Sequence, residues 1–305
     1  MEVEEVFARF REIKHGIRSP KKSGSLWFGE HKSPFQGSGF DIVGVDQWRP
    51  GQPLKDVAWG LSLRTYPEKL FRIERMELKQ VPTILAVDLS YSTLFQISHE
   101  SNKALLLLDI IGGIGLTRAK MHDPVGLLMF SDQIELFLKP KLGSAQVFHM
   151  AHQIFEKLEL ARQFPSKRTA DFSLALRFLT TRLKTRTSIV LVSDLVDIIS
   201  DPESIDFKLM SRLAWKHDVV VLILDDPDEF ELPGRLGFVR ISNMETGEQT
   251  VIAARKTPAI RRSIEEARRA LQTRLKRECG VDSEVLEPRG HFEKLSRFMM
   301  SRGSR

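Results

Sequence analysis

The sequence predicts a doubly wound α/β fold: a mostly parallel sheet with one antiparallel strand, and a small accessory β subdomain beside it. Three observations carry this. The runs Thr83–Val87, Ser188–Val192 and Val219–Leu224 are almost purely aliphatic, as in strands buried on both faces. Segments of helical character separate them. Only Ser131, Asp132 and Gln133 stand between the strands Val125–Phe130 and Ile134–Leu138, too few residues for a parallel crossover, so these two must form an antiparallel hairpin.

In chain order, Val3, Val6, Phe7, Phe10 and Ile13 share one helical face, and a basic, turn-rich linker (IRSPKKSGS) follows. From Leu26 to Gln80 the chain is rich in Gly, Pro, Phe and Trp without long periodic runs, which predicts short strands and turns with Trp48 and Trp59 as a small core. Asn102 to Lys120 is apolar nearly all round, as in a helix buried against a sheet. Ser144 caps a helix through Leu158, and Asp171 caps one from Phe172 to about Lys184. Asp201-Pro202-Glu203 marks the next helix start, with Pro at its permitted first position. Between Asp225 and Arg255 the rhythm breaks: two short alternating runs flank ETGE, the pattern of a hairpin. Thr257-Pro258 opens a basic helix, Gly280 ends it, and Val281–Leu286 is the last strand. The division is therefore an N-terminal helix and β-rich accessory segment over 1–80, the α/β domain in two parts over 81–225 and 255–305, and an inserted hairpin over 226–254. Each β-rich part is too small to bury a core alone, so the two are expected to associate.

The 305 residues are 42% hydrophobic and 28% charged, ordinary values for a globular protein. A single cysteine, Cys279, excludes an intrachain disulfide and points to a reducing, cytoplasmic setting. The acidic, amphipathic start lacks the features of a secretory signal. The longest apolar stretch, Ala104 to Leu116, is interrupted by Asp109 and too short to cross about 30 Å of hydrocarbon, so no membrane span is expected. Net charge is +6. Nine Lys and Arg between Arg255 and Arg277, set against Glu265 and Glu266, account for all of the excess. Ile260, Ile264, Ala267, Leu271 and Leu275 form the apolar face of that helix, which leaves the basic residues for its solvated face. Of the partners that could use this face, an acidic protein fits better than a nucleic acid, since no aromatic residues interleave to stack bases.

The chemistry concentrates after the first aliphatic strand. Asp88, Ser90 and Ser92 stand as D-x-S-x-S directly behind Val87, so one short turn can aim a carboxylate and two hydroxyls at one point. The carboxyl end of such a sheet is where ligands bind. Oxygens on alternate residues suit a hard divalent cation: Mg²⁺, or Mn²⁺ or Ca²⁺. Two further oxygens belong to such a site, and the sequence offers Thr169, before the helix-like FSLALRFLTTRL, and Asp194, at the end of SIVLVSD.

DLSYS, a lone Thr before a helix and SD after a buried strand together resemble the metal-ion-dependent adhesion site of von Willebrand factor A domains. The flanks, FQGSGFDIVGVDQWRPGQPLKDVAWGLSLRT and LPGRLGFVRISNMETGEQTV, resemble the bacterial family catalogued as domain of unknown function fifty-eight, whose members carry such an A domain. The likeness runs from about Gly24 to the C-terminus. It implies a von Willebrand factor A-like sheet in which the strands ending at Asp88 and Asp194 lie side by side. It also implies Ser90, Ser92 and Thr169 as hydroxyl ligands, with Asp88 and Asp194 acting largely through water or hydrogen bonds. The usual neighbour and presumed partner in the family is a MoxR-type AAA ATPase, and no enzymatic activity is established for it. Thr93 stands where a Met is common, Lys167-Arg168 where Gly-Gly is, and Gln52 and Ala58 where acidic residues are.

The expected function is thus a non-enzymatic, metal-dependent protein-binding module, an adaptor or co-chaperone of the ATPase, that takes up a partner carboxylate. Two alternatives stay open: a metal-dependent phosphoester hydrolase using Asp88, and nucleic-acid binding through the basic helix 255–277. The hydrolase pattern calls for a second Asp two residues on, where Ser90 stands. No G-x-x-x-x-G-K-[ST] loop occurs. Asp197 reads as an ordinary loop carboxylate rather than a supporting group, His149 and His152 as surface or partly buried histidines rather than zinc ligands, and Cys279 as a buried, inert thiol.

Overall fold

In a computed structural model, residues 36–66, 69–76, 80–94, 103–163, 169–201, 205–227, 238–242, 249–253 and 257–303 are described. The expected helix over residues 3–14 lies outside them. The central sheet has six strands, β3 (Thr83–Asp88), β4 (Val125–Phe130), β5 (Ile134–Lys141), β6 (Ser188–Ser193), β7 (Asp218–Leu224) and β10 (Asp282–Leu286). Their order is β10-β7-β6-β3-β4-β5. All neighbours are parallel except β4 and β5, the expected hairpin. The expected doubly wound sheet is therefore present, with β3 and β6 adjacent. The chain leaves β3 toward β4 and β5, then returns to the other side through β6. The boundary between β3 and β6 is the topological switch point, the place where doubly wound sheets bind ligands in a crevice outside the carboxyl ends of their strands.

The alternation within each strand decides what covers each face. Leu85, Val87, Val190 and Val192 point into one core, shared with the helices Lys103–Lys120, Ser144–Gln163 and His291–Gly303. Ile84, Ala86, Ile189 and Leu191 point into the other, shared with Phe172–Arg182, Phe207–Lys216 and Thr257–Cys279. In β3, β4 and β6 all six residues are buried, which is why they read as unbroken aliphatic runs. Helix Lys103–Lys120 packs closely on Ser144–Gln163: a Cβ at Gly115 would sit 2.7 Å from the Val147 side chain. Among the described residues no helix is long and apolar enough to cross a membrane.

The accessory β parts are two separate antiparallel pairs. β1 (Gln36–Gln47) pairs with β2 (Phe71–Met76), and β8 (Phe238–Ser242) pairs with β9 (Gln249–Ala253), the inserted hairpin. No ladder joins one pair to the other among the described residues.

Three expectations need correction. The N-terminal β-rich segment also contains a seven-residue helix, Trp59–Thr65, and Trp59 is 53% exposed rather than part of a core. Of the side chains described there, Val57 is the buried apolar one, so the segment has little interior to offer an indole. The helix expected at Asp201-Pro202-Glu203 begins at Phe207. Its cap is Asp206, which accepts from the Leu209 N–H at 2.9 Å, while Asp201 closes the short helix Val196–Ser200. Arg268 of the basic helix is buried and paired with Asp225 at 2.9 Å, so not all of that helix's charge faces solvent.

Candidate functional site

Asp88 ends β3 and Asp194 follows β6, so parallel pairing of two adjacent strands brings together residues more than a hundred positions apart. Four of the five expected ligands converge. Ser90 Oγ lies 3.2 Å from Ser92 Oγ, and the Ser92 hydroxyl donates to Asp194 Oδ1 at 3.3 Å. Asp88 is held on both oxygens: Oδ1 accepts the Ser90 N–H at 2.7 Å, and Oδ2 accepts the Ser193 hydroxyl at 2.6 Å and the Thr93 hydroxyl at 3.3 Å. All of these side chains are buried.

The backbone is bent to fit. Leu195, directly after Asp194, has φ 58°, a left-handed conformation that a bulky non-glycine residue rarely adopts. Its N–H donates to Ser193 Oγ at 2.9 Å, which fixes the turn that aims Asp194 into the crevice.

Thr169, unlike Asp88, Ser90, Ser92 and Asp194, is exposed. Its loop is nevertheless tied to the same end of the sheet. The Ala170 N–H donates to Asp197 Oδ2 at 2.6 Å, and the Asp171 N–H to the Ser131 carbonyl at 2.9 Å, one residue past β4. Asp197 is therefore a supporting group, tethering the loop that carries Thr169, rather than an ordinary loop carboxylate.

Three participants were not apparent in the sequence. Ser193 and Thr93 supply hydroxyls to Asp88, and the Thr that replaces the common Met adds a polar contact to the cluster. Lys103, on the helix Lys103–Lys120, places Nζ 3.1 Å from Asp194 Oδ2, with side-chain exposures of 3% and 2%. The signal for Ser193 was its place beside Asp194; nothing in the sequence distinguished Lys103 from a solvated lysine.

The electrostatics follow from burial. Desolvation, then the neighbouring Asp194 charge, push the Asp88 carboxyl up to about 7 from the usual 3.8, against hydrogen bonds from Ser193 and Ser90 that pull it down. With both carboxylates ionised and Lys103 protonated, these three groups carry one net negative charge, which favours a further cation. The donors suit a hard ion. Adjacent corners of an octahedron about 2.0–2.1 Å in radius are about 2.9 Å apart, close to the 3.2 and 3.3 Å oxygen separations here. Among the described residues no three His, Cys, Asp or Glu side chains gather into a group that could hold a metal ion.

The other marked residues fall elsewhere. His149 is exposed, and His152 Nδ1 lies 3.8 Å from Glu156. The Cys279 thiol is buried against the Phe207 carbonyl, and burial pushes it up from its ordinary value.

Residues 45–274 match the model of the family described as protein of unknown function DUF58, and the chain belongs to that family. Among solved structures it is similar to the conserved hypothetical protein BatB from Bacteroides thetaiotaomicron, at 14% identity and a TM-score of 0.39 over 74% of this chain and 100% of that one. It is also similar to the SpRpn10 VWA domain, at 12% identity and a TM-score of 0.38 over 72% and 94%. No curated protein matches the chain.

Proposed function

We propose that this DUF58 protein is a non-enzymatic protein-binding module that captures a partner carboxylate through a divalent cation, Mg²⁺ before Mn²⁺ or Ca²⁺. One observation carries the reading: two buried carboxylates and two hydroxyls from adjacent strands converge at the switch-point crevice. Ser90 and Ser92 would offer neutral hydroxyl ligands, and the tethered loop would offer Thr169. Asp88 and Asp194 would act largely through water or hydrogen bonds rather than as direct ligands, and hydrogen bonds to both oxygens of Asp88 hold that carboxylate in place. A divalent ion so held keeps charge uncompensated and gives an acidic side chain of another molecule a direct bond. Both Asp88 oxygens accept hydrogen bonds that hold the turn, which supports a positioning role for this carboxylate over a nucleophilic one.

The family resemblance makes a MoxR-type AAA ATPase, or an acidic client of it, the partner to test, and a cytoplasmic adaptor or co-chaperone the role. The experiment is capture of the purified ATPase from the same organism on immobilised chain. Capture should vanish with EDTA, return with Mg²⁺, fall only modestly in high salt, and be lost in Ser90→Ala and Asp194→Ala. Capture indifferent to EDTA but abolished by salt and by Arg261→Glu and Arg262→Glu would place the interface on the basic helix and overturn the reading.

A further inference from the structure

Lys103 stands where a lysine is hard to keep. It is 97% removed from solvent, and its chain is long enough to reach water from most surface positions. Burial of such a group is costly unless an opposite charge repays it. One opposite charge is Asp194 Oδ2, 3.1 Å away and 2% exposed, while Asp194 Oδ1 faces the Ser92 hydroxyl. The two oxygens of one carboxylate are thus divided between a fixed cation and the crevice.

We infer that Lys103 is a built-in counter-ion of the site. Its ammonium holds the Asp194 side of the cluster together when no divalent ion is present, and its charge makes the cluster bind that ion more weakly. The second half rests on the metal reading above; the first does not. The crevice then stays assembled in both states, and uptake of the ion is a binding event rather than a folding event. A unit positive charge a few ångströms from a divalent ion also keeps the loaded site more positive, which favours an acidic partner.

The test compares wild type, Lys103→Met, Lys103→Arg and the double variant Lys103→Met with Asp194→Asn, by melting in EDTA and, for wild type and the first variant, by Mg²⁺ titration calorimetry. Lys103→Met should melt roughly 10 °C lower in EDTA, because it leaves Asp194 buried without its cation. The double variant should regain much of that loss, and Lys103→Arg should stay near wild type. Lys103→Met should bind Mg²⁺ about tenfold more tightly. Equal melting of Lys103→Met and wild type, or a double variant that melts as low as the single one, overturns the counter-ion. Equal Mg²⁺ affinities overturn its control of the ion alone. Absence of Mg²⁺ binding in both proteins overturns the metal reading and that second half with it, while the EDTA series still decides the first. If Lys103→Met does not fold, a folded double variant supports the pairing and an unfolded one contradicts it.

Discussion

At the carboxyl end of the sheet Asp88, Asp194 and Lys103 are buried around a shared set of hydroxyls, whereas along the Thr257–Cys279 helix the charges are spread over a surface and largely answered within the chain. Arg261 pairs with Glu265, Arg274 with Glu278, Arg268 with Asp225 and Lys276 with Asp282. The helix carries seven Lys and Arg against three Glu, and four of the seven are paired; the crevice gathers two carboxylates against one ammonium. Net charge and the convergence of buried polar groups therefore point to different regions here. Convergence of desolvated polar groups is the better guide, because a group taken out of water interacts strongly with whatever comes next.

Removing one partner from a buried pair should give the largest effect, and should do so in both regions. Asp194→Ala and Arg268→Ala are each expected to cost about 3–5 kcal/mol, read by urea denaturation. They should separate in binding: Asp194→Ala abolishes Mg²⁺-dependent capture of a partner, and Arg268→Ala in the protein that remains folded leaves it intact. Loss of capture in both would erase the contrast.

Asp88→Asn should act in the opposite direction on stability. The folded carboxyl keeps its proton up to about pH 7 while the unfolded one releases it near 3.8, so the ion-free native state binds the extra proton between those values. Its stability then falls as pH rises from about 4 to about 7, and levels off above. Asp88→Asn should flatten that slope and, at pH 8 in EDTA, be more stable by about 1–3 kcal/mol, while losing any Mg²⁺ response. Wild-type stability that rises across this window in EDTA would contradict the buried-carboxylate account.

Ser90→Ala is expected to cost only about 1 kcal/mol of ion-free stability, since it removes hydroxyl hydrogen bonds and no charge, yet to weaken the Mg²⁺ response strongly. Smallest of all, Arg262→Glu and Arg269→Glu should shift stability by no more than about 0.5 kcal/mol each and capture by less than about threefold at physiological salt. A larger loss of capture would move the interface toward the helix.

How much of this was legible in the sequence follows from the same contrast. The aliphatic runs gave β3, β6 and β7 almost to the residue, because strands covered on both faces tolerate nothing else. The Asp171 cap was correct for a local reason: its carboxylate bonds the Leu174 N–H three residues on. Asp201 was misread because Asp206 offers the same chemistry five residues later, and pattern alone does not rank two caps. Asp88, Ser90, Ser92 and Asp194 were legible as residue types at strand ends. Their mutual approach depended on strand order, which came from the family resemblance. Lys103 was not legible at all, since its partner lies 91 residues away and a lysine at a helix start reads as solvated. Arg268 was missed in the same way, its partner Asp225 being more than forty residues upstream.

The central claim, that the crevice holds a divalent ion, is tested most directly by melting wild type and Ser90→Ala in EDTA and in rising Mg²⁺. A site filled to about 100 times its dissociation constant adds about 2.7 kcal/mol, so the wild-type melting temperature should climb by several degrees in millimolar Mg²⁺ and Ser90→Ala should lag well behind. Superimposable curves for the two proteins, unmoved by Mg²⁺ up to tens of millimolar, would contradict it.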